Sequence, residues 1–398
     1  MAHPLELAAC PANDIVGLQF LFGVTEFALR GEGTSEVWET IVRVRALCDQ
    51  LEDKSNLGQV LQMQGAHHVA RREYAAALRV AEELLQLARE QDHAVRVVYA
   101  HQLMGQSSHF LGEFSRAVGH FERALSVRTS EMNPSRDFFG RTLSADRDQV
   151  VALSYLANDL LILGHLDRAL ARRNQALALA RKTNDPYALA IALGLASIVD
   201  RYCGVLTESF ECLTELASLA RQQKLPLFCR LAELGLARIL SDRGKTAQGL
   251  ARARHAIAEY ATVPGRMHWL GLAICCERAG EVDEALHLLD VELVAANAAS
   301  EGYNEAVLHR LKGEWLLAHR PACSAEAEDS YRHSLTVARE QQAKFLELRA
   351  SISLARLWRD QGKRTEARDL LTTIYGWFTE GLDTPVLKEA KALLDELA

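Results

Sequence analysis

The stretch "FLGEFSRAVGHFERAL", Phe110–Leu125, sets Gly112 two residues ahead of Phe114, with Ala117 five after the glycine and Phe121 four after the alanine. A glycine behind an apolar run ends a helix, because it takes the left-handed conformation that other residues resist. Ala117 and Phe121, one turn apart, then put a small and a bulky side chain on one face of the next helix. The same pattern runs the length of the protein. Turn positions fall at Gly31, Arg72, Gly112, Gly164, Gly204, Gly244, Gly280, Ala322 and Gly362. Five residues after each stand Glu36, Ala77, Ala117, Ala169, Ser209, Gly249, Ala285, Ala327 and Ala367. Ahead of the turns lie Val24, Gly65, Gly105, Ala157, Ser197, Ala237, Ala273, Gly313 and Ala355. A small residue on each side of a turn lets two helix backbones approach, so the sequence predicts nine helical hairpins recurring roughly every forty residues.

Gly105, Ala117, Phe121 and Ala124 resemble the tetratricopeptide repeat, with small residues at motif positions eight and twenty, an aromatic at twenty-four and alanine at twenty-seven. The resemblance implies an all-α fold, a right-handed α-solenoid of about nine hairpins in one continuous array over residues 1–398, closed by a capping helix at 384–397. Each hairpin leaves an apolar face that only a neighbour can cover, which is why the units must stack. The step from Gly112 to Gly164 is long, and Asn133-Pro134, Gly140 and several acids mark a loop insertion at 129–148. Phe138 and Phe139 in that loop either pack on a neighbouring helix or form a flap over the groove.

The composition agrees. The 398 residues are 49% hydrophobic and 24% charged, enough to bury a large core, and only eight prolines interrupt a sequence rich in helix formers. No convincing strand is visible, so none is expected. The net charge of −7 argues against a nonspecific nucleic-acid grip, which needs a surplus of Lys and Arg. No apolar run of membrane-spanning length occurs, and the start "MAHPLELAACP" lacks a leader's basic and apolar regions, so a cytoplasmic protein away from membranes is expected. Eight cysteines without a C-x-x-C read as reduced core thiols.

The C-terminal segment "ELRASISLARLWRDQGKRTEARDLLTTIYGWFTEGLDTPVLKEAKALLDEL", Glu347–Leu397, resembles the C-terminal repeat region of bacterial signalling proteins that join a class III adenylate or guanylate cyclase domain, an AAA-like or STAND-like ATPase domain and tetratricopeptide repeats. The parts of that family that turn over nucleotides have no counterpart here. "ILSDRGKT", Ile239–Thr246, puts isoleucine where a phosphate-binding loop needs its first glycine. No H-E-x-x-H or G-x-S-x-G occurs; His67 and His68 are adjacent on a helix, and His101 and His109 lie two turns apart. The expectation is therefore no enzyme, no catalytic residue, no cofactor and no metal.

In the resembling family the first helix of each hairpin lines the concave face. Reading its inward positions gives Tyr99, Gln102, Gln106 and His109, then Ser154 and Asn158, Arg201 and Tyr202, Arg238, Arg310 and Glu314, and Arg356. Amides there suit a peptide backbone and arginines suit carboxylates. The expected function is a noncatalytic scaffold binding a protein or peptide, with an acidic peptide or a free C-terminus favoured, as a regulatory arm of a bacterial signalling system. The alternative is a small-molecule sensor like the repeat domain of maltose-type transcription activators. Exposed end repeats would also allow a homo-oligomer.

Overall fold

In a computed structural model, the structure describes residues 35–127, 135–136, 142–143, 145–261 and 269–398. Eighteen α-helices account for nearly all of them. Helix α1 (Ser35–Gln50) is followed by hairpins α2 (Lys54–Ala70) with α3 (Tyr74–Glu90), and α4 (Ala94–Leu111) with α5 (Phe114–Ser126). Next come α6 (Ala145–Ile162) with α7 (Leu166–Thr183), α8 (Pro186–Cys203) with α9 (Leu206–Gln222), and α10 (Pro226–Asp242) with α11 (Thr246–Glu259). The stack continues through α12 (Trp269–Arg278) with α13 (Val282–Ala298), α14 (Glu305–His319) with α15 (Ser324–Glu340), and α16 (Lys344–Asp360) with α17 (Arg364–Tyr375). Helix α18 (Pro385–Leu397) caps it, started by proline in its first turn. Eight hairpins follow α1, which occupies the second-helix position of a ninth; the predicted turn at Gly31 and Val24 lie outside the described residues.

The turn chemistry is the one the sequence pattern requires. Gly112 sits at φ +82°, its N–H donates to the His109 carbonyl at 3.0 Å, and the Glu113 N–H donates to the Ser108 carbonyl at 2.9 Å, so the last carbonyls of α4 are satisfied. Arg72 holds the same place in the preceding hairpin at φ +63° without glycine's freedom. Small residues allow close helix approach as expected. A Cβ on Gly105 would stand 2.5 Å from the Phe121 ring, and one on Gly313 would stand 2.6 Å from the Tyr331 ring.

The insertion departs from expectation. Helix α6 already begins at Ala145, inside the predicted 129–148 loop, with Asp146 and Asp148 in its first turn where the helix dipole favours acids. Between α5 and α6 stands a two-residue antiparallel ribbon, β1 (Ser135–Arg136) against β2 (Thr142–Leu143), where no strand was expected, because two residues carry no readable alternation. Phe138 and Phe139 lie outside the described residues.

The stack also returns on itself. The Tyr303 N–H donates to the Phe110 carbonyl at 3.2 Å, and Ser115 Oγ donates to Gln342 Oε1 at 2.9 Å. Arg72 pairs with the buried carboxylate of Glu301. One apolar core runs across this seam, joining Phe114, Phe121, Leu156 and Leu160 to Ala306, Phe345, Leu371 and Leu387. Early and late hairpins therefore share one apolar interior.

Candidate functional site

The predicted inward residues divide into two groups. In the first, each polar side chain bonds to protein. Tyr99 OH donates to the Gln62 carbonyl at 3.1 Å, Gln102 Nε2 to Gln106 Oε1 at 3.2 Å, and Gln106 Nε2 to Tyr155 OH at 3.1 Å. Ser154 Oγ donates to its own helix at the Val150 carbonyl, 2.7 Å away, and Asn158 Nδ2 reaches the Leu195 carbonyl of the next hairpin at 3.2 Å. His109 Nδ1 meets Asp159 Oδ1 at 2.5 Å, both side chains buried, and its ring packs among Tyr155, Tyr303 and Phe110. Burial pushes the Asp159 carboxyl up against the opposing pull of His109, and its second oxygen has no hydrogen-bond partner. Within this group Tyr99, Gln106, His109 and Asn158 fasten repeat to repeat.

The second group is a cluster of charge. Helix α8 brings Arg201 and Tyr202, α10 brings Arg238, α14 brings Arg310 and Glu314, and α16 adds Arg349. The guanidinium carbons of Arg201 and Arg349 lie 4.6 and 5.1 Å from the centre of the Tyr202 ring, within cation–π range on a phenol that also packs against Phe345. Arg310 pairs with Glu314, which also accepts from Ser353 Oγ at 2.9 Å. Arg238 Nε is 3.7 Å from Asp242, which is itself shared with Arg278 at 3.4 Å.

With Arg278 counted at Asp242, five guanidinium groups stand against two carboxylates, Glu314 and Asp242. Burial and the like charge of Arg201 depress Arg238 to about 9, and burial with the like charge of Arg310 depresses Arg349 to about 10. For Tyr202, burial alone would raise the phenol, but the summed field of Arg201, Arg349, Arg238 and Arg310 brings it down to about 7. Arg201 Nη1 and Arg238 Nε are buried without any hydrogen-bond partner. Buried donors of this kind normally find acceptors. The side chain of Arg238 nevertheless keeps 28% of its accessible surface, so the cluster borders open space.

Arg356, predicted with this set, instead pairs with Glu389 of the capping helix at 2.8 Å on the outside. Arg349 was not anticipated, although it stands five residues into α16 as Arg310 stands five residues into α14, a repeat-period signal present in the sequence. His67 and His101 are buried, and His101 Nδ1 lies 3.2 Å from His120 Nδ1.

No family model matches the sequence, and no curated protein matches it. Solved structures do. A Rap protein complexed with Competence and Sporulation Factor superposes with a TM-score of 0.60 at 13% identity, over 86% of this protein and 88% of that one. A signal transduction ATPase with numerous domains, carrying a tetratricopeptide repeat sensor, from Pyrococcus horikoshii, matches with a TM-score of 0.50 at 15% identity, over 99% of this protein and 55% of that one. The fold is a TPR-like α-solenoid. At these identities the likeness establishes architecture, and function has to come from the site itself. No described helix is long and apolar enough to cross a membrane.

Proposed function

We propose that this solenoid is a noncatalytic binding protein that takes an anionic group of an acidic peptide or free C-terminus among Arg201, Arg238 and Arg349, as the regulatory arm of a signalling system. One observation carries the reading: Arg201 Nη1 is buried without a hydrogen-bond partner and Arg238 Nε has only a 3.7 Å ion pair with Asp242, in a cluster with more guanidinium than carboxylate. A carboxylate is the natural complement, since it accepts two parallel N–H bonds from one guanidinium and neutralises its charge. The signalling role is supported by the resemblance of Glu347–Leu397 to cyclase- and ATPase-linked repeats. The Rap protein of similar fold was solved with a bound factor, which makes a bound peptide a natural hypothesis here.

A small-molecule sensor is the second reading, favoured by the seam of Arg72 with Glu301, Tyr303 with Phe110 and Ser115 with Gln342 that closes early hairpins onto late ones. Calorimetric titration separates the two. Peptides ending in a free carboxylate should bind, their C-terminally amidated forms should bind more weakly, and Arg201→Gln with Arg238→Gln should remove the difference. Saturation by di- or tricarboxylic acids with no peptide binding would favour the sensor, and indifference to both arginines would reject the cluster as the site.

A further inference from the structure

The hairpin α14–α15 carries three metal-competent side chains that sequence spacing hides. Glu305 opens α14, His309 follows one turn later on the same face, and His333 comes from α15, its register fixed by Ser334 Oγ donating to the Ala306 carbonyl at 2.6 Å. One ligand atom from each of the three lies within 4.8 Å of the others. His333 Nε2 and Glu305 Oε1 are 3.6 Å apart, and the two imidazole centres are 4.1 Å apart. With metal–ligand bonds of about 2.1 Å, the edge of a tetrahedron is about 3.4 Å, so the Glu–His edge is already at bonding length.

We propose that Glu305, His309 and His333 form a binding site for a divalent transition cation of zinc type, leaving one coordination position open. Two imidazoles and one carboxylate are the donor set that borderline cations prefer over magnesium or calcium, which seek oxygen alone. The donors are available. The nearby cation, Lys312, is tied to Asp290 at 2.7 Å. The contrast with Cys276, Glu281 and Glu284 is instructive, since that trio meets the same distance limit. There both glutamates pair with Arg254 and burial lifts the thiol to about 12, so its donors are already engaged or protonated. A cation at Glu305 would also brace the seam, because Tyr303, two residues ahead of it, donates its N–H to the Phe110 carbonyl at 3.2 Å.

Titration of the whole protein with Co²⁺, followed by visible absorption and then by Zn²⁺ competition, tests the site. One Co²⁺ per molecule with the bands of a four-coordinate His-carboxylate centre is expected, displaced by Zn²⁺ and accompanied by a rise in melting temperature. His333→Gln alters a half-exposed residue and should leave the helical circular dichroism intact. It should weaken binding at least about 100-fold, since losing even an outer-shell partner costs 10–100-fold. Glu305→Gln should weaken it as well. His255→Gln removes another surface histidine, paired with Glu259 at 3.2 Å without a third donor among the described residues, and should change nothing. Absence of saturable Co²⁺ and Zn²⁺ uptake by the unmodified protein, or uptake equal in His333→Gln, would overturn the assignment.

Discussion

Arg349 on α16 holds its guanidinium carbon 5.1 Å from the ring centre of Tyr202 on α8, joining a late hairpin to a middle one through a charge and a phenol. The phenol is depressed from 10.0 to about 7, burial opposing and the four arginines winning. A depressed acid contributes stability that is fully present above its unfolded value, near 10, and is lost as pH falls through about 7. Ultraviolet titration should therefore show one tyrosine ionising near neutrality. Tyr202→Phe should abolish that step and flatten the stability profile between pH 7 and 10, and Arg349→Gln should move the step upward.

The same phenolate competes with any anion for the arginines. Above about pH 7 it neutralises part of the cluster, so an anionic ligand should bind more weakly as pH rises through that value. Calorimetry at pH 6 and pH 8 should show the drop in the native protein and a much smaller one in Tyr202→Phe. A rise in affinity with pH would contradict the cluster as the anion site.

The hairpin packing makes a sharper demand. Gly105→Ala and Gly313→Ala each drive a methyl against an aromatic ring of the partner helix, and at Gly313 also against the Ala327 carbonyl at 2.9 Å. Overpacking of this kind costs about 1–3 kcal/mol. Gly119, on α5, has nothing within 4 Å of its would-be Cβ, so Gly119→Ala should be neutral or stabilise by about 0.5–1 kcal/mol through helix propensity. Denaturant melts of the three variants check the opposite signs.

Why the hairpins were legible and the seam was not follows from distance along the sequence. Gly112, Ala117 and Phe121 act within one turn and its two helices, where spacing alone decides which faces meet. The pair Arg72 and Glu301, 229 residues apart, depends on how far the whole stack winds, which no local pattern encodes. Inward polarity was equally ambiguous. Ser154 and Asn158 read like groove residues but spend their donors on backbone carbonyls, while Arg201, Tyr202, Arg238, Arg310 and Glu314 read the same way and do assemble. His309 and His333 escaped notice because their meeting depends on the register between antiparallel helices, not on an i, i+4 spacing.

The seam itself should be sensitive to change at Arg72. Its partner Glu301 is almost fully buried, so Arg72→Ala removes the guanidinium and leaves a desolvated carboxylate with fewer partners. The cost should be about 1–3 kcal/mol. Hydrogen exchange should quicken in α2–α4 and around Gly302 together, because both sides of the seam lose the same tie. Loosening confined to α2 alone would mean the halves are held elsewhere.

The arginine cluster yields the last prediction, which separates a ligand site from a structural one. A network built for stability loses stability when a member is removed, whereas a cluster with surplus like charge gains it. Arg201 carries an unpartnered buried Nη1 and lies among Arg238, Arg310 and Arg349 around Tyr202. Arg201→Gln should therefore raise stability by about 0.5–2 kcal/mol in low salt while lowering affinity for a carboxylate ligand. Phosphate or sulfate should stabilise the native protein more than chloride at equal ionic strength and lose that advantage in the variant. If Arg201→Gln instead melts at a lower temperature and the anions act alike on both proteins, the cluster is a brace between repeats and the ligand binds somewhere else.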